Sequence, residues 1–230
     1  GDETLDQLLD EDAEVDPPSA YGGSKIQAER GLLPMASDSF CVTALRMGTL
    51  FGFSPRMRYD LVVNTFVKDA LTKGRLTIHY GGEMWRPLAE VHDAARCYIA
   101  LLRAPQSKVN GQVFNLVNRN FRISELALRV REELRAIGIE TDIRADFAYR
   151  GVRSYRVTGQ RLEREVGFRP TVSVEESVRA MVEGIRRLGY DDFDNPRYYN
   201  ITWMRLLEQA HDVIKVTGGV FDAPTEPASA

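Results

Sequence analysis

Ser19-Ala-Tyr21-Gly-Gly-Ser-Lys25-Ile-Gln-Ala28-Glu29, followed after a turn by Phe40-Cys-Val-Thr-Ala-Leu45, decides how this chain is read. Asp16-Pro17-Pro18-Ser19 is a turn that ends on a serine suited to cap a helix. The spacing predicts a helix over about 20–36, weakened by Gly22, Gly23 and Gly31. The run from Phe40 to Leu45 is short, apolar and rich in β-formers, as a buried parallel-type strand is. A helix leading straight into a buried strand is characteristic of α/β folds.

The same alternation continues outward. A loop is expected over 48–58, with Gly52 and Pro55, and then a helix over 61–72 ended by Lys73-Gly74. Leu76 to Tyr80 alternates as a strand, and 90–103 is amphipathic. Gly111 to Val117 reads as a strand, and Ser124 as the cap of a helix over 125–137 that stops at Gly138. Short strands over 140–145 and 154–157 precede helices over 160–166, 174–188 (introduced by Ser173) and about 201–216. The Pro/Ala/Ser tail is expected to be mobile. There is no internal repeat. The class is α/β with parallel pairing.

Composition is that of an ordinary globular chain: 230 residues, 43% hydrophobic and 27% charged. A net charge of -3 gives no electrostatic case for nucleic acid. No apolar run approaches the roughly 18 residues that cross a bilayer. Cys41 and Cys97 lack the spacing of a metal site, and both are expected to be buried free thiols, as suits a reducing cytoplasm. His79 and His92 have no metal-ligand spacing either and read as packing or loop residues, so no metal is expected. Tyr198, Tyr199 and Trp203 read as core or interface. The opening stretch carries acids at Asp2, Glu3, Asp6, Asp10, Glu11, Asp12, Glu14 and Asp16 and reads as a solvated loop. A Gly-Asp beginning suits a tag scar, a proteolytic end or the edge of a partial sequence.

Tyr21 and Lys25 stand four apart, on one face of the expected helix. A phenol with an ordinary pKa of about 10 is a poor base at neutral pH, and a nearby ammonium favours its anion. Such a pair suits proton transfer at a substrate hydroxyl while a hydride moves to a nicotinamide. The spacing alone fits a solvated i,i+4 pair equally well, so the neighbouring blocks decide.

Pro18-Ser-Ala-Tyr21-Gly-Gly-Ser-Lys25 with Ala28-Glu29, and Val42-Thr-Ala-Leu-Arg46-Met-Gly-Thr49-Leu-Phe-Gly52, come first. Asp60-Leu61 with Phe66, Leu76-Thr77-Ile78-His79, and Gly82-Glu-Met-Trp-Arg86-Pro-Leu-Ala-Glu-Val91-His-Asp93 follow. Phe114-Asn-Leu and Val166-Gly-Phe-Arg-Pro170 close the series. In order and spacing these resemble the extended short-chain dehydrogenase/reductases, the NAD-dependent nucleotide-sugar epimerases and dehydratases. The likeness runs over about residues 16–188.

The resemblance implies a partial Rossmann-type doubly wound sheet plus a smaller C-terminal α/β substrate-binding domain. Residues 1–58 would be a remnant of the dinucleotide-binding domain. Residues 59–190 would be mainly substrate-binding, with 90–118 returning to the Rossmann sheet, and 191–230 a C-terminal helix and tail. Tyr21 would be the acid/base, and Lys25 its activator and ribose ligand. Met47 and Gly48 would lie beside the nicotinamide of NAD (or NADP), with Thr49 in the substrate loop. Asp60 and Leu61 would approach the sugar-nucleotide, and Thr77 and His79 would flank its base. Arg86 would bind the diphosphate, which a planar guanidinium grips bidentately. Arg150 or Arg153 would be a second cationic partner, and Tyr155 would reach the hexose. A homodimer in the cytoplasm is implied.

Three departures matter. No Gly-x-x-Gly-x-x-Gly occurs, the serine or threonine that completes the catalytic group lies before this stretch, and Thr49 and Phe53 stand where asparagine and proline are commoner. An N-terminal piece absent from this sequence is therefore expected. The alternatives are a non-catalytic nucleotide-sugar-binding remnant, or a short-chain reductase of a non-sugar substrate. The epimerase, dehydratase or reductase outcome, the base and the sugar stay open.

Overall fold

A computed structural model of the chain describes residues 8–15, 17, 19–147 and 154–218. Arg150, Arg153 and the expected mobile tail beyond Gly218 lie outside the described residues. In chain order the elements are β1 (Leu8–Leu9), α1 (Ala20–Leu32), β2 (Thr43–Met47), β3 (Thr49–Phe51), α2 (Val62–Lys73), β4 (Arg75–His79) and β5 (Trp85–Glu90). Then come α3 (Val91–Arg103), α4 (Gln106–Val109), β6 (Gln112–Leu116), β7 (Arg119–Arg122), α5 (Ile123–Ala136) and β8 (Asp142–Asp146). β9 (Arg156–Val157), α6 (Gln160–Val166), α7 (Val174–Leu188) and α8 (Asn200–Thr217) complete the order.

Pairing is mainly parallel. β2 runs beside β6 from Thr43↔Gln112 to Met47↔Leu116, and β4 beside β8 from Arg75↔Asp142 to His79↔Asp146. β3 lies parallel to β5, which takes β7 antiparallel on its other side. Two apolar clusters form. The larger gathers Phe66, Leu76, Leu126, Val130 and Met181 beneath α2, α5 and α7, and the smaller gathers Cys97, Leu101, Phe114, Leu116 and Leu162. Helix α7 shows the local logic. Ser173 and Glu176 close a capping box, and Val174, Val178, Met181, Val182 and Ile185 put one face into the core. Each such side chain contributes roughly 1.5–3 kcal/mol on burial.

Several expectations are corrected. The stretch 48–58 is not all loop, because Thr49–Phe51 satisfies its backbone against Leu88–Glu90. Strands β5 and β7 were not foreseen, since Pro87 and the arginines mask them. Pro87 is tolerated inside β5 because pairing with β3 begins only at Leu88, so its missing N–H costs no bond on that side. Ser124 is no cap: α5 starts at Ile123, whose N–H donates to the Met84 carbonyl at 3.0 Å. The strand after α1 begins at Thr43, while Phe40 closes a tight bridge with Ser37 and stays exposed.

The acidic opening is not merely solvated. Leu8 and Leu9 pair with Arg156 and Val157, and Glu11 is buried, accepting the Asn115 N–H at 2.8 Å beside Arg161. Cys41 is exposed, against expectation, whereas Cys97 is buried as foreseen. Burial, reinforced by the neighbouring Asp93 charge, pushes the Cys97 thiol up to about 12. Titration of the native protein with a chromogenic disulfide reagent at pH 8 should therefore find one fast thiol, Cys41, with the second appearing only on denaturation. Two fast native thiols would contradict this packing.

Candidate active site

Ser19 fixes the start of α1: its Oγ accepts the Gly22 N–H at 3.1 Å. Tyr21, in the first turn, and Lys25, one turn on, share a face, with the Lys25 Nζ 5.3 Å from the centre of the Tyr21 ring. Tyr21 is 74% exposed, and α1 contributes no buried side chain. The helix is tied to β2 by Glu29 and Arg46, which meet in two hydrogen bonds of 2.9 and 2.6 Å.

β2 and β3 are separated only by Gly48, where the chain leaves the β6 pairing for the β5 pairing. The Gly48 N–H still donates to the Leu116 carbonyl at 2.9 Å, while a Cβ at this position would stand 2.9 Å from the Pro87 carbonyl oxygen. Only glycine lets the backbones pass so closely. Crevices open where neighbouring strands part at their carboxyl ends, and here they do.

One cavity of about 340 Å³ joins Tyr21 to Met47, Gly48 and Leu61. A second of about 360 Å³ is lined by Asp60, Thr77, His79, Met84 and Arg86. A third of about 340 Å³ brings Tyr155 to Met47 and Gly48. They are linked by touching walls. The Arg86 guanidinium lies 5.8 Å from the centre of the Tyr155 ring, and Arg58, in the first cavity, grips Asp60, in the second, through bonds of 2.6 and 2.8 Å.

Arg86 is half-buried and also donates to the Trp85 carbonyl at 2.8 Å. His79 lies 3.3 Å from Asp146 at the exposed end of the β4–β8 pair. Neither His79 nor His92 is a packed core residue: both are exposed, and His92 bonds Glu90 at 2.9 Å. Tyr198 is buried, as the sequence suggested. Of the expected site residues, Lys25 and Thr49 line none of these three cavities, and Arg150 and Arg153 are outside the described residues. Among the described residues no group of His, Cys, Asp and Glu could hold a metal.

Sequence reasoning missed Asn64 and Glu90. Asn64 holds Gly52 by both backbone groups, accepting its N–H at 3.0 Å and donating to its carbonyl at 3.2 Å. Glu90, 2% exposed, caps α3 through the His92 and Asp93 N–H groups and presses on Gly52. An Asn three places into an apolar helix and an acid just before one were the available signals.

A model of the NAD dependent epimerase/dehydratase family matches residues 1–116, and the chain belongs to that family. Solved structures agree on the fold. A dTDP-glucose 4,6-dehydratase from Bacillus anthracis, in complex with NAD, is 18% identical, with a TM-score of 0.66 over 85% of this chain and 59% of its own. A UDP-glucuronic acid 4-epimerase from Bacillus cereus, with UDP-glucuronic acid and NAD, is 22% identical, with a TM-score of 0.65 over 81% and 60%. A UDP-glucose 4-epimerase from Thermotoga maritima, with UDP-glucose, is 24% identical, with a TM-score of 0.66 over 78% and 57%. The architecture is the Rossmann-type α/β fold of such enzymes, and the chain spans 57–60% of the length of these three. Among the described residues no helix is long and apolar enough to cross a membrane.

Gly52 opens the loop that carries the cavity's polar side chains, with φ +114 and no room beyond its Cα: a Cβ would overlap Glu90 and sit 3.0 Å from the Ser177 Oγ. Gly52→Ala should therefore lower stability by roughly 2–4 kcal/mol in urea unfolding. A loss under about 0.5 kcal/mol, the range of neutral surface changes, would show that the loop relaxes freely.

Proposed function

We propose that this chain binds a nucleotide-activated sugar in the Asp60–Arg86 and Tyr21 cavities and that, with NAD or NADP, it epimerises or dehydrates that sugar, using Tyr21 as acid/base. The observation that carries this reading is the opening of Tyr21 onto the cavity of Met47 and Gly48, with Lys25 on the same helix face. Family membership supports the reaction class, and the cofactors of the solved relatives support the nicotinamide.

Tyr21, Lys25, Met47 and Gly48 fit such a cofactor. The first two are exposed on α1, and Gly48 offers backbone rather than a side chain to the cavity wall. When bound, the cofactor supplies reversible acceptance of a hydride from the sugar carbon. Tyr21 removes the proton from the sugar hydroxyl and later returns it, with the Lys25 ammonium opposing the negative charge on the phenol oxygen. Arg86, steadied against Tyr155 and the Trp85 carbonyl, takes the diphosphate. Asp60 and Leu61 approach the sugar-nucleotide, and Thr77 and His79 flank the base, as their place around the second cavity suggests for all but Leu61. Thr49, Arg150 and Arg153 take supporting contacts in the same reading.

Residues 1–58 then belong to the dinucleotide side, 59–190 mainly to the substrate side with 90–118 returning, and 191–230 to a C-terminal helix and tail. The smaller apolar cluster, drawn mainly from 89–116 with Leu45 and Leu50 packed against it, favours the return of 90–118 to the first part, while Phe51 and Met57 pack into the larger cluster. A cytoplasmic homodimer, joined through the exposed face of α1, completes it.

With NAD and a panel of UDP-, dTDP- and GDP-hexoses, the protein should turn one over. Tyr21→Phe should lose roughly 10²–10⁴ in rate, the usual weight of a general acid/base, while calorimetric binding of the sugar-nucleotide persists. Full activity in that variant removes Tyr21 from the chemistry. Sugar-nucleotide binding without any turnover or NAD binding leaves only a binding module.

A further inference from the structure

We infer that the sugar accepted beside Tyr21 carries a carboxylate, as a uronic acid does, and that Arg56 and Arg58 recognise it. This rests on the nucleotide-sugar reading above. The cavity that holds Tyr21 is also lined by Arg56 and Arg58 and, among the described residues, by no aspartate or glutamate. The two guanidinia reach it through simple alternation: Met57 and Tyr59 are fully buried, so Arg56 and Arg58 between and before them turn outward.

The loop is firmly held. Asn64 clamps Gly52 at one end. At the other, the Tyr59 hydroxyl donates to the Tyr190 carbonyl at 2.6 Å, and its ring meets Phe193 and Tyr198 edge-on at 5.0 Å each. Between them the Ser54 Oγ donates to the Arg56 carbonyl at 2.7 Å. Arginines on so fixed a backbone are preorganised to grip a planar anion, because little ordering cost remains.

Charge accounting separates the two arginines. Arg58 is matched by Asp60. Arg56 donates to the Asn200 Oδ1 at 3.2 Å, an uncharged partner, and pairs with no carboxylate among the described residues. The pair therefore leaves one positive charge at the Tyr21 cavity. Arg56 is exposed, so beside a neutral hexose its charge is met by water, whereas a carboxylate would meet it with charge-assisted hydrogen bonds. The diphosphate does not require these arginines, since Arg86 lines the neighbouring cavity, with Thr77 and His79 further along it.

Calorimetry on the protein first finds which of UDP, dTDP and GDP binds. For that nucleotide, acid and neutral partners are compared: UDP-glucuronic acid with UDP-glucose, dTDP-glucuronic acid with dTDP-glucose, or GDP-mannuronic acid with GDP-mannose. The acid should bind about tenfold tighter or more, as one charged hydrogen-bonded contact allows. Arg56→Gln should erase that ratio, while Arg103→Ala, on the exposed end of α3, keeps it. Equal or weaker binding of the acid overturns the inference alone. An equal loss for both partners in Arg56→Gln assigns the residue to the diphosphate and overturns it too. Failure of all three nucleotides to bind removes the nucleotide-sugar reading, and this inference with it.

Discussion

Two carboxylates at the first turn of α3, Glu90 and Asp93, are 2% and 0% exposed and hold remote parts of the chain in place. Burying a charge costs several kcal/mol unless its lone pairs are met. Both are. Glu90 takes the His92 and Asp93 N–H groups and the His92 ring, and packs on Gly52. Asp93 takes the Thr171 and Val172 N–H groups, both at 2.9 Å, and the Arg96 guanidinium. The N-terminal end of the helix dipole adds to the same side of the balance. The result is that α3, the approach to α7 and the loop beginning at Gly52 cannot move independently. That loop is one wall of the Tyr21 cavity.

The second constraint is the parting of strands at Gly48. Parallel pairing brings Met47 to the end of one pair and Thr49 to the start of another, so the crevice between them is a consequence of topology rather than of any side chain. What the side chains add is chemistry around a gap that already exists. Tyr21 approaches from an exposed helix, Arg86 from a strand held between β3 and β7, and Tyr155 from the segment just before β9.

Most of this order could be read along the chain. Helices α6 and α7 and the β4 strand follow from periodicity and from Gly167, Ser173 and Gly74 at their ends, because caps and amphipathic faces are local properties. Strands β3, β5 and β7 could not be read that way. β3 has only three residues, β5 contains a proline, and β7 sets Asn120 and Phe121 between two arginines. Each is a strand because a partner stands beside it, and partners are not visible in a window of sequence. The burial of Glu11 and Glu90 escaped for a related reason: an acid looks solvated until the donors that meet it are brought from afar, here from Asn115 and from the start of α3. Motif order singles out Tyr21, Met47, Gly48, Thr77, His79 and Arg86, and all six line a cavity, while Arg56 and Arg58 stand out only once Met57 and Tyr59 are seen to be buried between and beyond them.

Helix α1 shows what the polar contacts must do when burial is lacking. It contains three glycines and buries no side chain, and an isolated helix of 13 residues is marginal in water. Propensity and apolar contact therefore do not hold Tyr21 where it stands. The Arg46 guanidinium does much of this work: it takes both Glu29 oxygens and also donates to the Glu11 carbonyl at 3.0 Å, from a position 26% exposed. An exposed ion pair is worth little, but a half-buried, bidentate one with a third bond restrains orientation as well as distance. The strand that ends in Met47 thus also anchors the helix that carries Tyr21, so both walls of the cavity move with β2.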